Sequence, residues 1–207
     1  LWGFFNYKYI NIVWNNFKFN KKKNKLLKMK KKILISTGGS GGHVIPATTI
    51  YNHLKNEYEV AISTDLRGLK YLNINNYKVF KVDTPKLNIS FLFPIKILKV
   101  FFLTLKSLFL LKKEKIQILI STGGYMSLPL CLAAKILNIK IFLLEPNMII
   151  GRANKFFLSF CKKIICYSNK IIGFPNKFHN KLVTLNPLIR KEYYQKDLNK
   201  KNDNIFT

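Results

Sequence analysis

Acidic residues and cysteines are both scarce in this chain of 207 residues. Only 9 residues are Asp or Glu, against 36 Lys and Arg, so the formal net charge is +27. The three cysteines, Cys131, Cys161 and Cys166, form no Cys-x-x-Cys pair and have no histidine beside them. So few cysteines exclude a disulfide scaffold, and their spacing and neighbours argue against a zinc site. The sequence therefore predicts reduced, buried thiols in a cytoplasmic protein, with no metal and no organic cofactor.

Arginine is rare as well, since only Arg67, Arg152 and Arg190 accompany the many lysines. A lysine-rich chain that is also crowded with Ile, Asn, Phe and Tyr is typical of an AT-rich genome, so much of the charge can be compositional drift on solvated faces. Attraction to an anionic membrane surface and binding of nucleic acid are the two other interpretations. The shortage of arginine, which reads bases through bidentate hydrogen bonds, argues against nucleic acid.

The longest apolar stretch is interrupted by charge. Residues 89–111 have the length to span a membrane, but they contain Lys96, Lys99 and Lys106, and each charge costs about 2.5–3.5 kcal/mol at mid-membrane. At about 100° per residue the three lysines share one sector of a helix. The segment is therefore predicted to form a basic amphipathic helix, either packed on the protein core or partly facing a membrane, with a transmembrane span as the third alternative.

Short apolar segments alternate with longer helical ones along most of the chain. Several of the short segments are apolar throughout, which is typical of strands covered on both faces. The alternation predicts an α/β fold, a Rossmann-like parallel sheet with helices on both faces, in which ligands bind at the carboxyl ends of the strands. The predicted strands are residues 33–36, 59–63, 78–82, 116–121, 140–144, 163–168 and 182–185, and the predicted helices are residues 44–56, 95–113, 127–137 and 151–161.

A glycine-rich loop follows the first predicted strand. The run Gly38-Gly39-Ser40-Gly41-Gly42 lets the backbone approach a ligand closely, and the next helix directs its N-terminal N–H groups at the same place. That combination suits a phosphate or diphosphate. The run matches neither the dinucleotide fingerprint nor the P-loop of nucleotide triphosphatases. His43 comes next, and we expect it either to act as a general base near neutral pH or to cap the helix.

Three further polar segments follow later strands, at the positions where a ligand would bind. A second glycine loop occupies residues 122–129, a segment with Glu145 and Asn147 occupies residues 145–155, and a last segment occupies residues 186–190. Each of these segments alone is weak evidence for a ligand site. Together with the first glycine loop they make four polar segments at strand ends in a fixed order, which is a much more specific indication.

The order of these segments resembles the MurG family of peptidoglycan glycosyltransferases. That family carries Gly-Gly-Thr-Gly-Gly-His-Val-x-Pro, Gly-Gly-Tyr-x-Ser-x-Pro, Glu-Gln-Asn followed by Gly-x-x-Asn-Lys, and Asn-Pro-x-Arg. Three departures are present: Ser40 replaces threonine, Pro146 replaces glutamine, and one extra residue precedes Arg190. The corresponding segments here are residues 38–46, 123–129, 145–147 with 151–155, and 186–190.

The resemblance implies the N-terminal half of a two-domain GT-B glycosyltransferase. The implied reaction is an inverting transfer of N-acetylglucosamine from UDP-N-acetylglucosamine to lipid I, which forms lipid II for peptidoglycan. The implied partners are these two substrates and an anionic membrane, at the cytoplasmic face of the bacterial inner membrane, with no nucleic acid. Another GT-B nucleotide-sugar transferase is the alternative. With this resemblance, His43 is expected to act as the catalytic base or to orient the acceptor. The family assigns donor contacts to Ser40, Gly41, Gly42, Asn147 and Arg190. Further substrate contacts are expected at Gly123, Gly124, Tyr125 and Glu145.

The resemblance also divides the chain into three parts. Residues 1–28 are expected to be an upstream extension, because Met29 precedes the first strand as a start codon would. Residues 29–190 are expected to form the acceptor- and membrane-binding domain, and residues 191–207 a linker and the first residues of a donor domain. Because most of the donor site would lie beyond Thr207, the chain by itself is expected to be inactive.

Overall fold

The computed structural model describes residues 30–86, 91 and 93–186, and within them seven strands form one parallel sheet. The spatial order of the strands is β3-β2-β1-β4-β5-β6-β7, and every neighbouring pair is parallel. The strands are β1 (Lys32–Ser36), β2 (Glu59–Thr64), β3 (Val79–Lys81), β4 (Ile118–Ser121), β5 (Lys140–Glu145), β6 (Lys163–Cys166) and β7 (Leu182–Thr184). The helices are α1 (Gly41–Leu54), α2 (Leu66–Leu69), α3 (Phe93–Lys113), α4 (Leu128–Ile136) and α5 (Arg152–Phe157).

Two hydrophobic cores lie on opposite faces of this sheet. Ile33 and Ile35 of β1 pack with the apolar face of α1, whereas Leu34 between them packs into the core that contains α4 and α5. Successive side chains of a strand point to opposite faces, so a strand buried on both faces is apolar at every position. The predicted Rossmann-like sheet with helices on both faces is confirmed.

Most element boundaries lie within two residues of the predicted ones, and the larger differences are at α1 and at α5, which ends at Phe157 rather than at residue 161. Helix α1 begins at Gly41 rather than at residue 44, because the amides of His43 and Val44 already donate to the carbonyl of Ser40, at 3.1 and 3.2 Å. His43 therefore lies in the first turn of the helix. Helix α2 was not predicted, since four residues are too few to show a helical period.

Helix α3 buries only a narrow stripe of its surface. The buried residues are Val100, Thr104, Ser107 and Leu111, and the helix packs against α4. Most of its large apolar side chains face outward, with Phe101 56% and Phe102 55% exposed. Among the described helices, none combines the length and the hydrophobicity of a transmembrane span. The predicted amphipathic helix is thus partly packed on the core and partly unpartnered.

The three cysteines are free and buried. Burial raises the pKa of Cys131 and of Cys166 to about 12 and that of Cys161 to about 11. Thiols in apolar surroundings stay protonated and are inert. The prediction of buried thiols is confirmed.

Candidate functional site

Two glycine loops lie side by side at the carboxyl edge of the sheet. Strands β1 and β4 are neighbours with Ser36 opposite Ser121, and beyond them the chain winds outward in opposite directions. Ligands of open α/β sheets bind at such a reversal of strand order. The first glycine loop comprises residues 37–40 and the second residues 122–124.

Buried hydroxyl and amide groups hold the two loops together. The amide of Thr122 donates to the carbonyl of Ser36 at 3.0 Å, and the hydroxyls of Thr122 and Thr37 are 2.9 Å apart. In the first loop Gly39 has a φ of +79°, which other residues rarely adopt. A side chain at Gly38 would overlap Met126 and the carboxylate of Asp65. Glycine is therefore required at positions 38 and 39 of the loop.

His43 connects the first turn of α1 to the second glycine loop. Its Nδ1 lies 2.7 Å from the carbonyl oxygen of Thr122. Because a carbonyl can only accept, the hydrogen bond places the proton of a neutral imidazole on Nδ1 and leaves the lone pair on Nε2. The side chain is half-buried. An imidazole that is held at Nδ1 and carries its lone pair on Nε2 can take a proton from a bound hydroxyl group.

A second cluster, Asp65, Arg67 and Tyr125, bridges the loops from the side of β2. Asp65 is 3% exposed, and its Oδ1 accepts from the amides of Gly39 and Gly68 at 2.9 and 2.8 Å. Its Oδ2 accepts from Nε and Nη2 of Arg67 at 2.9 and 2.7 Å, and Nη2 also donates to the hydroxyl of Tyr125. Burial alone would raise the pKa of Asp65, but the hydrogen bonds from Gly39, Gly68 and Arg67 lower it below its ordinary value.

Sequence reasoning identified Tyr125 but missed Asp65 and Arg67. The available signal was the position of Asp65 directly after the apolar strand β2, at the edge where ligands bind.

The lowered pKa of Asp65 has a consequence for stability against acid. In the unfolded chain the pKa of an aspartate is about 3.9. At pH values between the folded-state and unfolded-state pKa of Asp65, the unfolded chain therefore binds more protons than the folded one. The contribution of Asp65 to the free energy of unfolding is fully present at pH values above its unfolded-state pKa. It is lost as the pH falls through the lower pKa of the folded state. We expect Asp65→Asn to lower the free energy of unfolding by about 2 kcal/mol at neutral pH, and the gap between variant and wild type to shrink in acid.

Thermal unfolding of both proteins from neutral to strongly acidic pH measures this gap. Glu57→Gln, which alters an exposed carboxylate, is the matched control and is expected to leave the profile unchanged. A gap between Asp65→Asn and wild type that does not vary with pH would contradict the expectation.

The polar segment after β5 is organised by a buried carboxylate. Glu145 is 1% exposed, and its Oε1 accepts from the amide and the Nδ2 of Asn147 at 3.2 and 3.0 Å. Its Oε2 accepts from the amide of Gly151 at 2.7 Å and from Nδ2 of Asn154 at 3.0 Å. Asn154 lies against Gly123, where a Cβ would be 3.0 Å from its Nδ2. The segment is thereby attached to the second glycine loop, with Asn147 exposed beside it.

The structure brings most of the sequence-predicted site residues to one edge of the sheet. Ser40 caps the N-terminus of α1 without a side-chain hydrogen bond to it, so its hydroxyl is available to a ligand. Glu145 has both oxygens engaged by loop N–H groups. Arg190 lies outside the described residues, as do the predicted boundaries at Met29, 190 and 191. Among the described residues no three His, Cys, Asp or Glu side chains form a group that could hold a metal ion. The site residues at the edge are Ser40, Gly41, Gly42, His43, Gly123, Gly124, Tyr125, Glu145 and Asn147.

The chain matches one protein family and is similar in sequence to several curated proteins. Residues 33–166 match the model of the glycosyltransferase family 28 N-terminal domain. A Pelagibacter ubique protein named UDP-N-acetylglucosamine–N-acetylmuramyl-(pentapeptide) pyrophosphoryl-undecaprenol N-acetylglucosamine transferase is 56% identical over 180 residues. That alignment covers 86% of this chain and 50% of the relative. The chain thus spans about half the length of the curated relatives it matches.

Solved structures show the same fold. A crystal structure of Acinetobacter baumannii MurG superimposes with a TM-score of 0.64 at 24% identity, over 79% of this chain and 48% of that one. A UDP-GlcNAc 2-epimerase from Neisseria meningitidis, bound to UDP-GlcNAc, gives a TM-score of 0.54 at 14% identity, over 74% and 45% of the two chains. At these identities the likeness concerns the fold alone.

Proposed function

The chain belongs to the glycosyltransferase family 28 N-terminal domains, and from this membership we propose that it is the acceptor-binding half of an enzyme that transfers N-acetylglucosamine. The donor is UDP-N-acetylglucosamine, and the acceptor is N-acetylmuramyl-pentapeptide pyrophosphoryl-undecaprenol, lipid I. The observation that carries the proposal is the position of His43, tethered at 2.7 Å to Thr122 between two glycine loops. The identity of 56% to the Pelagibacter transferase supports the choice of substrates.

The proposed chemistry uses Nε2 of His43 as a general base. The 4-hydroxyl oxygen of the acceptor sugar attacks the anomeric carbon of the donor, and its proton passes to Nε2. The bond from that carbon to the diphosphate breaks, and UDP leaves with the electron pair. Attack opposite to the leaving group inverts the configuration at the anomeric carbon. The hydrogen bond from Nδ1 to Thr122 stabilises the imidazolium that forms, because a carbonyl oxygen accepts well from a charged donor.

The glycine loops supply the complementary anion site. Helix α1 has 14 residues and begins directly after the first loop, so its unpaired N–H groups and positive dipole end favour a diphosphate there. Ser40, Gly41 and Gly42 line that N-terminus, and Asn147 and Arg190 are proposed as further donor contacts. Gly123, Gly124, Tyr125 and Glu145 are proposed to bind or position the acceptor.

We propose that helix α3 holds the protein on the membrane that carries the acceptor. Its outward face presents Phe101, Phe102 and Phe109, and Lys99 and Lys106 of the same helix are exposed. An apolar helical face with lysines binds in the interface of an anionic bilayer. This location corresponds to the cytoplasmic face of the bacterial inner membrane, with the protein peripheral rather than inserted.

The test is a transfer assay with the complete gene product. We expect it to move radiolabelled N-acetylglucosamine from UDP-N-acetylglucosamine to a short-chain lipid I analogue, while the 207-residue chain alone moves none, because half a cleft cannot orient both substrates. UDP-glucose and UDP-N-acetylgalactosamine are the control donors for another nucleotide-sugar transferase. A complete protein that uses a control donor equally well, or does not glycosylate the analogue, refutes the proposal.

A further inference from the structure

Arg67 lies between the two glycine loops, yet neither the resemblance nor the proposed chemistry assigns it a role. Its guanidinium carbon is 5.3 Å from the centre of the Tyr125 ring, next to the second loop. On the other side, a Cβ placed on Gly39 of the first loop would be 3.8 Å from Nη2. The side chain of Arg67 is 51% exposed, so it borders the loops and the solvent together.

The hydrogen bonds of the Arg67 guanidinium group involve two of its three nitrogens. Nε and Nη2 donate to Oδ2 of Asp65, and Nη2 also donates to Tyr125. Nη1 carries two N–H groups, and in the described ranges of the chain it makes no hydrogen bond. The buried carboxylate of Asp65 thus holds the guanidinium plane in place, and the unused edge is left for a ligand. A pre-oriented side chain loses little conformational entropy when it binds.

We propose that Arg67 is a diphosphate-binding residue of the site, contacting phosphoryl oxygens through Nη1 while Asp65 and Tyr125 hold its other nitrogens. Arginine suits this role because its planar fork serves several acceptors at fixed angles, which the compact ammonium of lysine does not. Only three of the 36 basic residues are arginine, and this one adjoins both loops. The choice of ligand rests on the proposed function, in which acceptor and donor both contain a diphosphate.

The experiment is titration calorimetry of the 207-residue chain with three diphosphates. Inorganic pyrophosphate probes the shared chemistry, farnesyl diphosphate represents a lipid-linked acceptor, and UDP represents the donor. We expect Arg67→Gln to weaken pyrophosphate binding by about tenfold or more, as loss of a charge-assisted hydrogen bond does. Lys70→Gln, which removes one exposed charge from the same turn of the chain, is the matched control and is expected to change the affinity by less than about twofold.

The outcomes separate a ligand contact from a structural connection between the loops. If Arg67→Gln is folded by circular dichroism and binds pyrophosphate as the wild type does, or if the wild type binds no diphosphate saturably, the proposal is wrong. Should Arg67→Gln fail to fold, Arg67→Lys decides, because it keeps a cation beside Asp65 but loses the fork. Unchanged affinity in that variant overturns the proposal, and a loss supports it.

The two larger probes identify the source of the diphosphate. A greater effect of Arg67→Gln on farnesyl diphosphate than on UDP assigns Arg67 to the acceptor, and the reverse assigns it to the donor; either result supports the proposal. These measurements require no turnover. Binding through Arg67 in a protein that transfers no sugar would refute the proposed function and leave this inference intact.

Discussion

Replacing His43 with alanine in the complete protein is expected to lower turnover by about 10²–10⁴-fold, the usual cost of removing a general base. The stability is expected to change far less, because within the described residues the half-buried ring makes one hydrogen bond, to the carbonyl of Thr122. The measurement is kcat at saturating donor and acceptor, together with the thermal unfolding midpoint of each protein.

His43→Asn is the matched control for the hydrogen bond. The amide nitrogen of asparagine can take the place of Nδ1 and donate to Thr122, but it provides no base. We expect this variant to be as slow as His43→Ala and closer to the wild type in stability. Wild-type turnover in His43→Asn would contradict the catalytic role and leave His43 only its structural hydrogen bond to Thr122.

Replacing both Phe101 and Phe102 with serine is expected to weaken binding to phosphatidylglycerol-containing vesicles about 50-fold. Both rings are a little over half exposed, so transferring their free surface into a bilayer is worth about 2–3 kcal/mol together. Because they lie outside the core, the double variant is expected to stay folded. The loss is expected at both low and high salt, since apolar burial is not screened, whereas attraction of the lysines is.

The matched control removes two exposed isoleucines elsewhere. Ile74→Ser with Ile172→Ser takes away similar apolar surface outside α3, and we expect it to bind vesicles as the wild type does. Co-sedimentation with vesicles, after circular dichroism has verified the fold of each variant, gives the partition coefficients. If the Phe101 and Phe102 double variant binds vesicles as tightly as the wild type, the proposal that α3 contacts the membrane is wrong.

The sequence by itself determined the fold class and the edge of the sheet at which the candidate site residues gather. Residues 141–144 in the middle of β5 are all apolar because both faces of the strand are covered, and the alternation of such segments with helical ones indicated a parallel sheet between helices. The glycine runs could be recognised because positive φ and close backbone contact leave few alternatives to glycine. Tyr125, Glu145 and Asn147 were found through the resemblance, which rests on local motifs.

Only the tertiary structure decided which of these groups touch one another and what α3 leaves exposed. His43 and Thr122 are 79 positions apart, and Arg67 and Tyr125 are 58 apart, so neither pair leaves a local pattern in the sequence. The apolar side chains of α3 extend around most of the helix, and periodicity could not say that the stripe through Val100 and Thr104 would pack. That outcome depends on the shape of α4, because a helix buries the face that fits its neighbour most closely, whatever its average hydropathy.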